Sequence, residues 1–410
     1  MNEYLSAREA AQLLGVKVET LYAYVSRGLV RSLPAGQGRE RRYRREDMER
    51  LRARRPPGAR PARVDDALHW GEPLLESSVS WIGEGGPVYR GHPALRLAGD
   101  QVPFEAVAEL LWSGSLPDRP PPWEVDGLGV SPDRLAALLP MGSAPLAPLS
   151  VLVPALAAQD PGRFDNHSRR VVPRARALIV RLAAGLALPE GLQRVPAALE
   201  SPVPLAKVTG VALGAEESSP VVQALNQALV LLVDHELNAS TFAARVAAST
   251  GADIYSCVAA GLAALSGPVH GGAGERVAAL IEEAGRPERA EAVVHSRARR
   301  GEPMPGFGHR LYPHGDPRGV PLLELAGELA PGSSTVQTCL ALVAVMEEAG
   351  RGAPNVDFGL VALVAALGLP AGAAVRIFAV ARCAGWIAHA LEQYEAGVLL
   401  RPRARRPGPE

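Results

Sequence analysis

Hydrophobic positions recur at three- and four-residue steps through most of this chain. Val222, Leu225, Leu229 and Leu232 form one series, and Ile254, Val258, Leu262 and Leu265 a second. Leu340, Val343 and Met346 open a third, and Leu360, Leu363, Val364 and Leu367 a fourth. That spacing puts each set on one face of an α-helix, so the chain from about Phe104 onward is predicted to be helical nearly throughout. Ser78 to Tyr89 carries β-type residues instead and predicts a small hairpin. The longest uncharged run, Phe358 to Val375, is interrupted by Gly368-Leu-Pro-Ala-Gly372. The break predicts two buried helices joined by a turn and no membrane span.

The pattern of the first 55 residues is different. Ser6-Ala-Arg-Glu9 reads as a capping box, with Ala10, Leu13 and Leu14 continuing the apolar face. Gly15-Val16-Lys17 is a tight turn, and a second helix is expected from about Val18 to Arg27, ending at Gly28. Leu29 to Arg42, which contains Gly36-Gln-Gly38, fits a hairpin wing, and a basic helix is expected from about Arg45 to Arg54. Helix, short turn, helix and wing is the arrangement of a DNA-binding helix-turn-helix. Pro56-Pro-Gly-Ala-Arg-Pro61 reads as a linker over 56–63. The body, 64–410, is a mainly α domain, large enough to divide into two lobes.

Charge sharpens this division. Residues 1–63 hold 15 Lys+Arg against 7 Asp+Glu, and the remainder holds 28 against 36. A basic head on an acidic body restricts any nucleic-acid contact to one end. Cys257, Cys339 and Cys383 are odd in number, lack CxxC spacing and lie in Ala/Val-rich helical surroundings. They are expected to be buried free thiols in a reducing cytoplasm, and the polar N-terminus does not read as a signal peptide.

Three stretches carry candidate chemistry: Ser266-Gly-Pro-Val-His270-Gly-Gly, Pro305-Gly-Phe-Gly-His309 running on to Asp316-Pro-Arg318, and Pro354-Asn-Val-Asp357. Each sets a titratable side chain beside Gly or Pro at a helix edge. His235, three residues past Leu232, extends that helix's apolar face and is either packed in the core or lines a pocket. The surrounding Asp234-His-Glu-Leu-Asn-Ala does not match the zinc pattern HExxH, because Ala239 stands where the second His would be. His270 is either an exposed residue at a helix stop or a ligand group whose flanking glycines let the backbone approach a substrate. Asp357 reads most simply as an N-cap, a position that also favours the charged carboxylate. His314 is expected to be solvated, and His389 and Glu392 to form a hydrogen-bonded i,i+3 pair. Two imidazoles, a carboxylate and nearby arginines suit removal of a proton next to a carbonyl. That reaction needs a base, a hydrogen-bond donor for the developing enolate, and cations for an anionic partner.

Taken together, these motifs resemble the citrate synthase family over roughly residues 64–410. Tyr89-Arg-Gly, Phe104-Glu-Ala-Val-Ala-Glu-Leu-Leu-Trp, Asp234-His-Glu-Leu-Asn-Ala-Ser-Thr, Arg382-Cys-Ala-Gly-Trp and Arg401-Pro-Arg add to the three stretches above. The resemblance implies large and small helical lobes, the small one at about 271–378. It implies catalytic roles for His270, His309 and Asp357. His235, Arg318, Arg382 and Arg401 would bind oxaloacetate, Arg401 reaching across a homodimer. It implies condensation of acetyl-CoA with oxaloacetate, with the CoA thioester as substrate and no bound cofactor or metal. Propionyl-CoA, as in a 2-methylcitrate synthase, is the alternative acyl donor. Residues 1–55 resemble the winged helix-turn-helix of mercury-resistance-type regulators, so a DNA contact through the head, or a regulator sensing these metabolites, is a further expectation. One departure is Gly274, where the family often has Asn.

Overall fold

A computed structural model of the chain describes residues 4–14, 21, 25, 32–34, 41–45, 75–199, 204–313 and 315–403. The chain divides into two compact units after Glu76. The turn at Gly15, most of the second head helix, the Gly36–Gly38 wing, the basic helix beyond Arg45, the 56–63 linker and His314 lie outside the described residues.

In the head, β1 (Tyr4–Leu5), β2 (Ser32–Pro34) and β3 (Arg41–Arg44) form an antiparallel sheet in the order β1-β3-β2. Tyr43 pairs with both Leu5 and Ser32. Helix α1 (Ala7–Leu14) packs its Ala10 and Ala11 on Leu5, Leu21 and Tyr43. The capping box forms as predicted. Ser6 N–H donates to Glu9 Oε2 at 2.8 Å, and Glu9 N–H donates back to Ser6 Oγ at 3.3 Å.

The second unit opens with a three-stranded antiparallel sheet of β4 (Ser80–Gly83), β5 (Gly86–Tyr89) and β6 (His92–Pro93). The β4–β5 hairpin lies where the β-type residues placed it. Helices follow: α2 (Ala94–Gly99), α3 (Phe104–Ser113), α4 (Pro132–Ala137), α5 (Ala147–Gln159), α6 (Ser168–Gly185), α7 (Val195–Ala198), α8 (Leu205–Leu213) and α9 (Ser219–Leu232). Next come α10 (Ala239–Ser249), α11 (Ile254–Leu265), α12 (Ala273–Ala284), α13 (Ala290–Arg300), α14 (Gly319–Leu329) and α15 (Ser334–Glu348). The last two are α16 (Val356–Ala366) and α17 (Ala373–Ala396).

Two apolar clusters hold these helices. The larger runs from Val79 to Leu391 and includes the predicted stripes of α9 and α11. The smaller draws on α12, α13, α14, α15 and one face of α16, with Leu280, Val294, Leu342, Met346 and Phe358 at its centre. Helix α16 belongs to both: Leu360, Leu363 and Val364 enter the larger cluster, Phe358, Val361 and Ala362 the smaller. Such a helix is apolar almost all round, which explains why it makes up much of the longest uncharged run. Helix α17 is long and apolar enough to cross a bilayer, yet 89% of its apolar window is buried inside the fold. The three cysteines are free and buried.

Candidate active site

Backbone pairing brings the second and third motifs together. Gly308 N–H donates to Ala353 O at 3.0 Å, and Asn355 N–H donates to Gly306 O at 2.8 Å. The Asn355 side chain then caps α16, accepting from the N–H groups of Asp357 (3.0 Å) and Phe358 (3.2 Å) while its amide donates to Gly308 O at 3.3 Å. Asn355, not Asp357, is therefore the N-cap. Asp357 sits one residue inside the helix, and its carboxylate is released from capping. Helix α14 begins against the same segment. A Cβ on Gly319 would lie 2.5 Å from Asn355 O, so only glycine allows this approach.

Two buried arginines form the centre. Arg318, 2% exposed, pairs bidentately with Asp316: Nε to Oδ1 at 2.9 Å and Nη2 to Oδ2 at 2.8 Å. Asp316 Oδ2 also accepts the Val356 N–H at 3.2 Å, tying this pair to the start of α16. Arg382, 1% exposed and projecting from α17, donates Nε–H to Leu232 O at 2.8 Å and lies 4.6 Å from the Phe378 ring centroid. Its Nη1 is buried with no hydrogen-bond partner. A buried guanidinium N–H without a partner is disfavoured, so this atom is open to an incoming acceptor. Burial lowers the Arg382 pKa to about 10, so the group stays charged at neutral pH.

The imidazoles surround these cations, and all three are held neutral. His235 Nε2 lies 2.8 Å from the Tyr312 hydroxyl, and its ring meets that of His309 edge-on at 5.4 Å. Burial, then the charges of Arg318 and Arg382, push its pKa well below the ordinary range. His309 Nδ1 accepts the Leu311 N–H at 3.1 Å, which places the ring proton on Nε2. Burial lowers its pKa, and Arg318 adds to the effect against Asp316. His270 Nε2 lies 2.9 Å from Ser240 Oγ, which also receives the Trp386 indole N–H at 3.2 Å. Burial and Arg382 bring His270 down to about 4.

Asp357 behaves in the opposite way. Burial raises its pKa to about 6, although Arg318, Arg276 and Arg382 favour the anion. A carboxylate ionised at neutral pH but with its affinity for a proton raised is a competent base. The cluster thus joins Asp357, His235, His270 and His309 to Arg318 and Arg382. Arg401 lies in the exposed stretch after α17, and no contact within the described residues joins it to the cluster.

The family model described as "Citrate synthase, C-terminal domain" matches residues 68–403. The chain belongs to the citrate synthase family. "Citrate synthase 2" of Bacillus subtilis is 35% identical over 354 residues, covering 82% of this chain and 93% of that protein. A "2-methylcitrate synthase" of Mycobacterium tuberculosis is 34% identical over 337 residues, covering 77% and 82%. Among solved structures, a ternary complex of Thermoplasma acidophilum citrate synthase with carboxymethyl coenzyme A and oxaloacetate aligns over 85% of this chain and 97% of that one. Its TM-score is 0.73 and its identity 26%. A helix-turn-helix domain model matches residues 4–56. The reaction class is acyl transfer in which the acyl group becomes an alkyl group.

Against this citrate synthase fold, three local readings change. His235 does not extend α9. The helix ends at Leu232 and His235 lies in the turn beyond it, before Glu236 at φ 56°. Gly271 and Gly272 serve the chain's own packing: a Cβ would lie 2.1 Å from Leu265 O and 2.7 Å from Pro268 O, respectively. His389 and Glu392 do not bond each other. Both bond Arg245, at 3.2 and 2.6 Å. Sequence reasoning missed Ser240, Tyr312, Asp316 and Asn355. Asp316, two residues before Arg318, was the one with a readable signal, since a buried arginine requires a counter-ion.

Proposed function

We propose that this chain condenses acetyl-CoA with oxaloacetate to give citrate and CoA. Asp357 takes a proton from the thioester methyl. His270 donates a hydrogen bond to the thioester oxygen as the enol or enolate forms. The Ser240 hydroxyl proton has two acceptors in reach, Asn238 Oδ1 at 2.8 Å and His270 Nε2 at 2.9 Å; turned to His270, it leaves the ring's own proton on Nδ1, where it can take that role. The nucleophilic carbon attacks the oxaloacetate ketone, whose oxygen is polarised by the Nε2–H of His309. Water then hydrolyses the citryl-CoA thioester. Arg318, Arg382 and His235 hold the carboxylates, and Arg401 completes the site from the neighbouring subunit of a homodimer. We take 271–378 as the small lobe, whose closure excludes water until the carbon–carbon bond is made. The observation that carries this reading is the gathering of one raised carboxylate and three neutral imidazoles around two buried guanidinium groups.

Relatives of both names, citrate synthase and 2-methylcitrate synthase, match at similar identity. One methylene in a pocket discriminates by only about 1–3 kcal/mol. CoA release from acetyl-CoA and from propionyl-CoA, each with oxaloacetate, decides the acyl donor. No release with either would refute the assignment. A second reading is a DNA contact through the head, where Arg41 and Arg42 are exposed on β3. Side chains of this kind contact phosphates. A gel shift on duplex DNA that weakens with salt is the expected result, and indifference to DNA at low salt would remove the idea.

A further inference from the structure

The β4–β5 hairpin and the turn after α9 are joined by a closed ring of polar bonds that the proposed chemistry does not use. Glu236, next to His235, holds φ at 56°, a left-handed conformation that side chains seldom adopt. Its N–H donates to Ser80 Oγ at 3.0 Å. The Ser80 hydroxyl donates in turn to Asp234 Oδ2 in a short bond. Asp234 Oδ2 also meets His389 Nε2 at 3.3 Å. Arg245 Nη1 donates to His389 Nδ1 at 3.2 Å, which leaves Nε2 to donate to Asp234. Arg245 pairs with Glu392 at 2.6 Å, and Glu392 accepts from the N–H and hydroxyl of Ser78 at 2.7 and 2.8 Å. The ring leaves the hairpin at Ser80 and returns to it at Ser78.

Ser80, Asp234, Arg245 and His389 are all buried. Stability alone does not call for such a ring, because buried ionic groups replaced by well-packed apolar ones often leave a fold no weaker. What the ring does fix is the backbone on both sides of His235: Asp234 before it through a side chain, Glu236 after it through an N–H. The Tyr89 hydroxyl adds a third restraint, 3.3 Å from Asp234 O.

We propose that Ser80 and Asp234 are positioning residues that set the angle at which the His235 ring enters the keto-acid site. The inference rests on His235 binding oxaloacetate. Ser80→Ala removes the acceptor for the Glu236 N–H and one donor to Asp234. It is expected to raise the KM for oxaloacetate about tenfold, leaving kcat and the KM for acetyl-CoA within about twofold. Ser80→Thr, which restores the hydroxyl, should return the oxaloacetate KM towards the parent value. Adding Glu236→Gly to Ser80→Ala should recover part of the loss, since glycine holds φ 56° without strain. A parental oxaloacetate KM in Ser80→Ala overturns the proposal. So does an equal loss for both substrates, or a failure of threonine to rescue. If Ser80→Ala does not fold, Ser80→Cys, nearly the same size but with a weakly bonding thiol, is measured by the same criteria. If the parent chain does not condense the two substrates, the functional reading has failed. Calorimetric titration with oxaloacetate then makes the same parent-to-variant comparison without turnover, and equal affinities overturn the positioning role.

Discussion

Asp357→Asn should abolish condensation and yet make the protein more stable at neutral pH. Asparagine is close in shape to the protonated aspartic acid but cannot ionise. In the folded chain the Asp357 pKa stands at about 6, against an ordinary 3.8. The folded state therefore binds more protons than the unfolded state between these values, and stability falls as pH rises through that window. At about 1.4 kcal/mol per pH unit, the full rise corresponds to about 3 kcal/mol. Asp357 keeps some exposure to solvent, which screens its interactions and leaves about 1–2 kcal/mol as the expected gain. Denaturant midpoints of parent and variant, measured from pH 4 to pH 8, test this. The two should coincide near pH 4, separate between about pH 4 and 6, and run parallel above, with the variant the more stable. In the parent, kcat/KM should rise with pH through about 6 as the base ionises. A variant with no gain at pH 8, or equal gains at pH 4 and pH 8, would refute the claim that burial of this carboxylate is what sets its proton affinity.

Other expectations follow from the same geometry. Asp316→Asn leaves the buried Arg318 without its bidentate counter-ion; it should cost about 3–5 kcal/mol in chemical denaturation and raise the oxaloacetate KM. Gly319→Ala forces a methyl against the Asn355 and Pro354 carbonyls; a loss of about 1–3 kcal/mol is expected in thermal unfolding. On the proposed homodimer, mixing inactive Arg401→Ala with inactive Asp357→Asn protomers should restore activity, since one site of the mixed dimer then holds both residues. Failure to complement, once the subunits are shown to exchange, would place Arg401 in its own chain's site or outside the site altogether.

The helical body was legible because its stripes are regular: the α9 and α11 series lie on buried faces as spaced. The candidate site was legible where glycine and proline mark helix edges, as around His270, His309 and Asp357. Other features depended on contacts between distant segments. Asn355 outcompetes Asp357 as cap because the 306–308 backbone pairs with 353–355 and fixes the asparagine in place. No local pattern around His389 or Glu392 points to Arg245, some 145 positions away. The turn at His235 depends on Ser80, supplied by a hairpin far upstream.

Helix α17 bears on how freely this chain can vary in length. Over 24 residues it carries Phe378 beside His270, Arg382 against Leu232 O, Trp386 against Ser240, and His389 and Glu392 in the polar ring. One inserted residue near its start would turn everything downstream by about 100° and advance it about 1.5 Å. Each of those groups would then face a different neighbour at once. Length changes are therefore expected to be confined to the loops, while α17 keeps the same count of residues between Phe378 and Glu392.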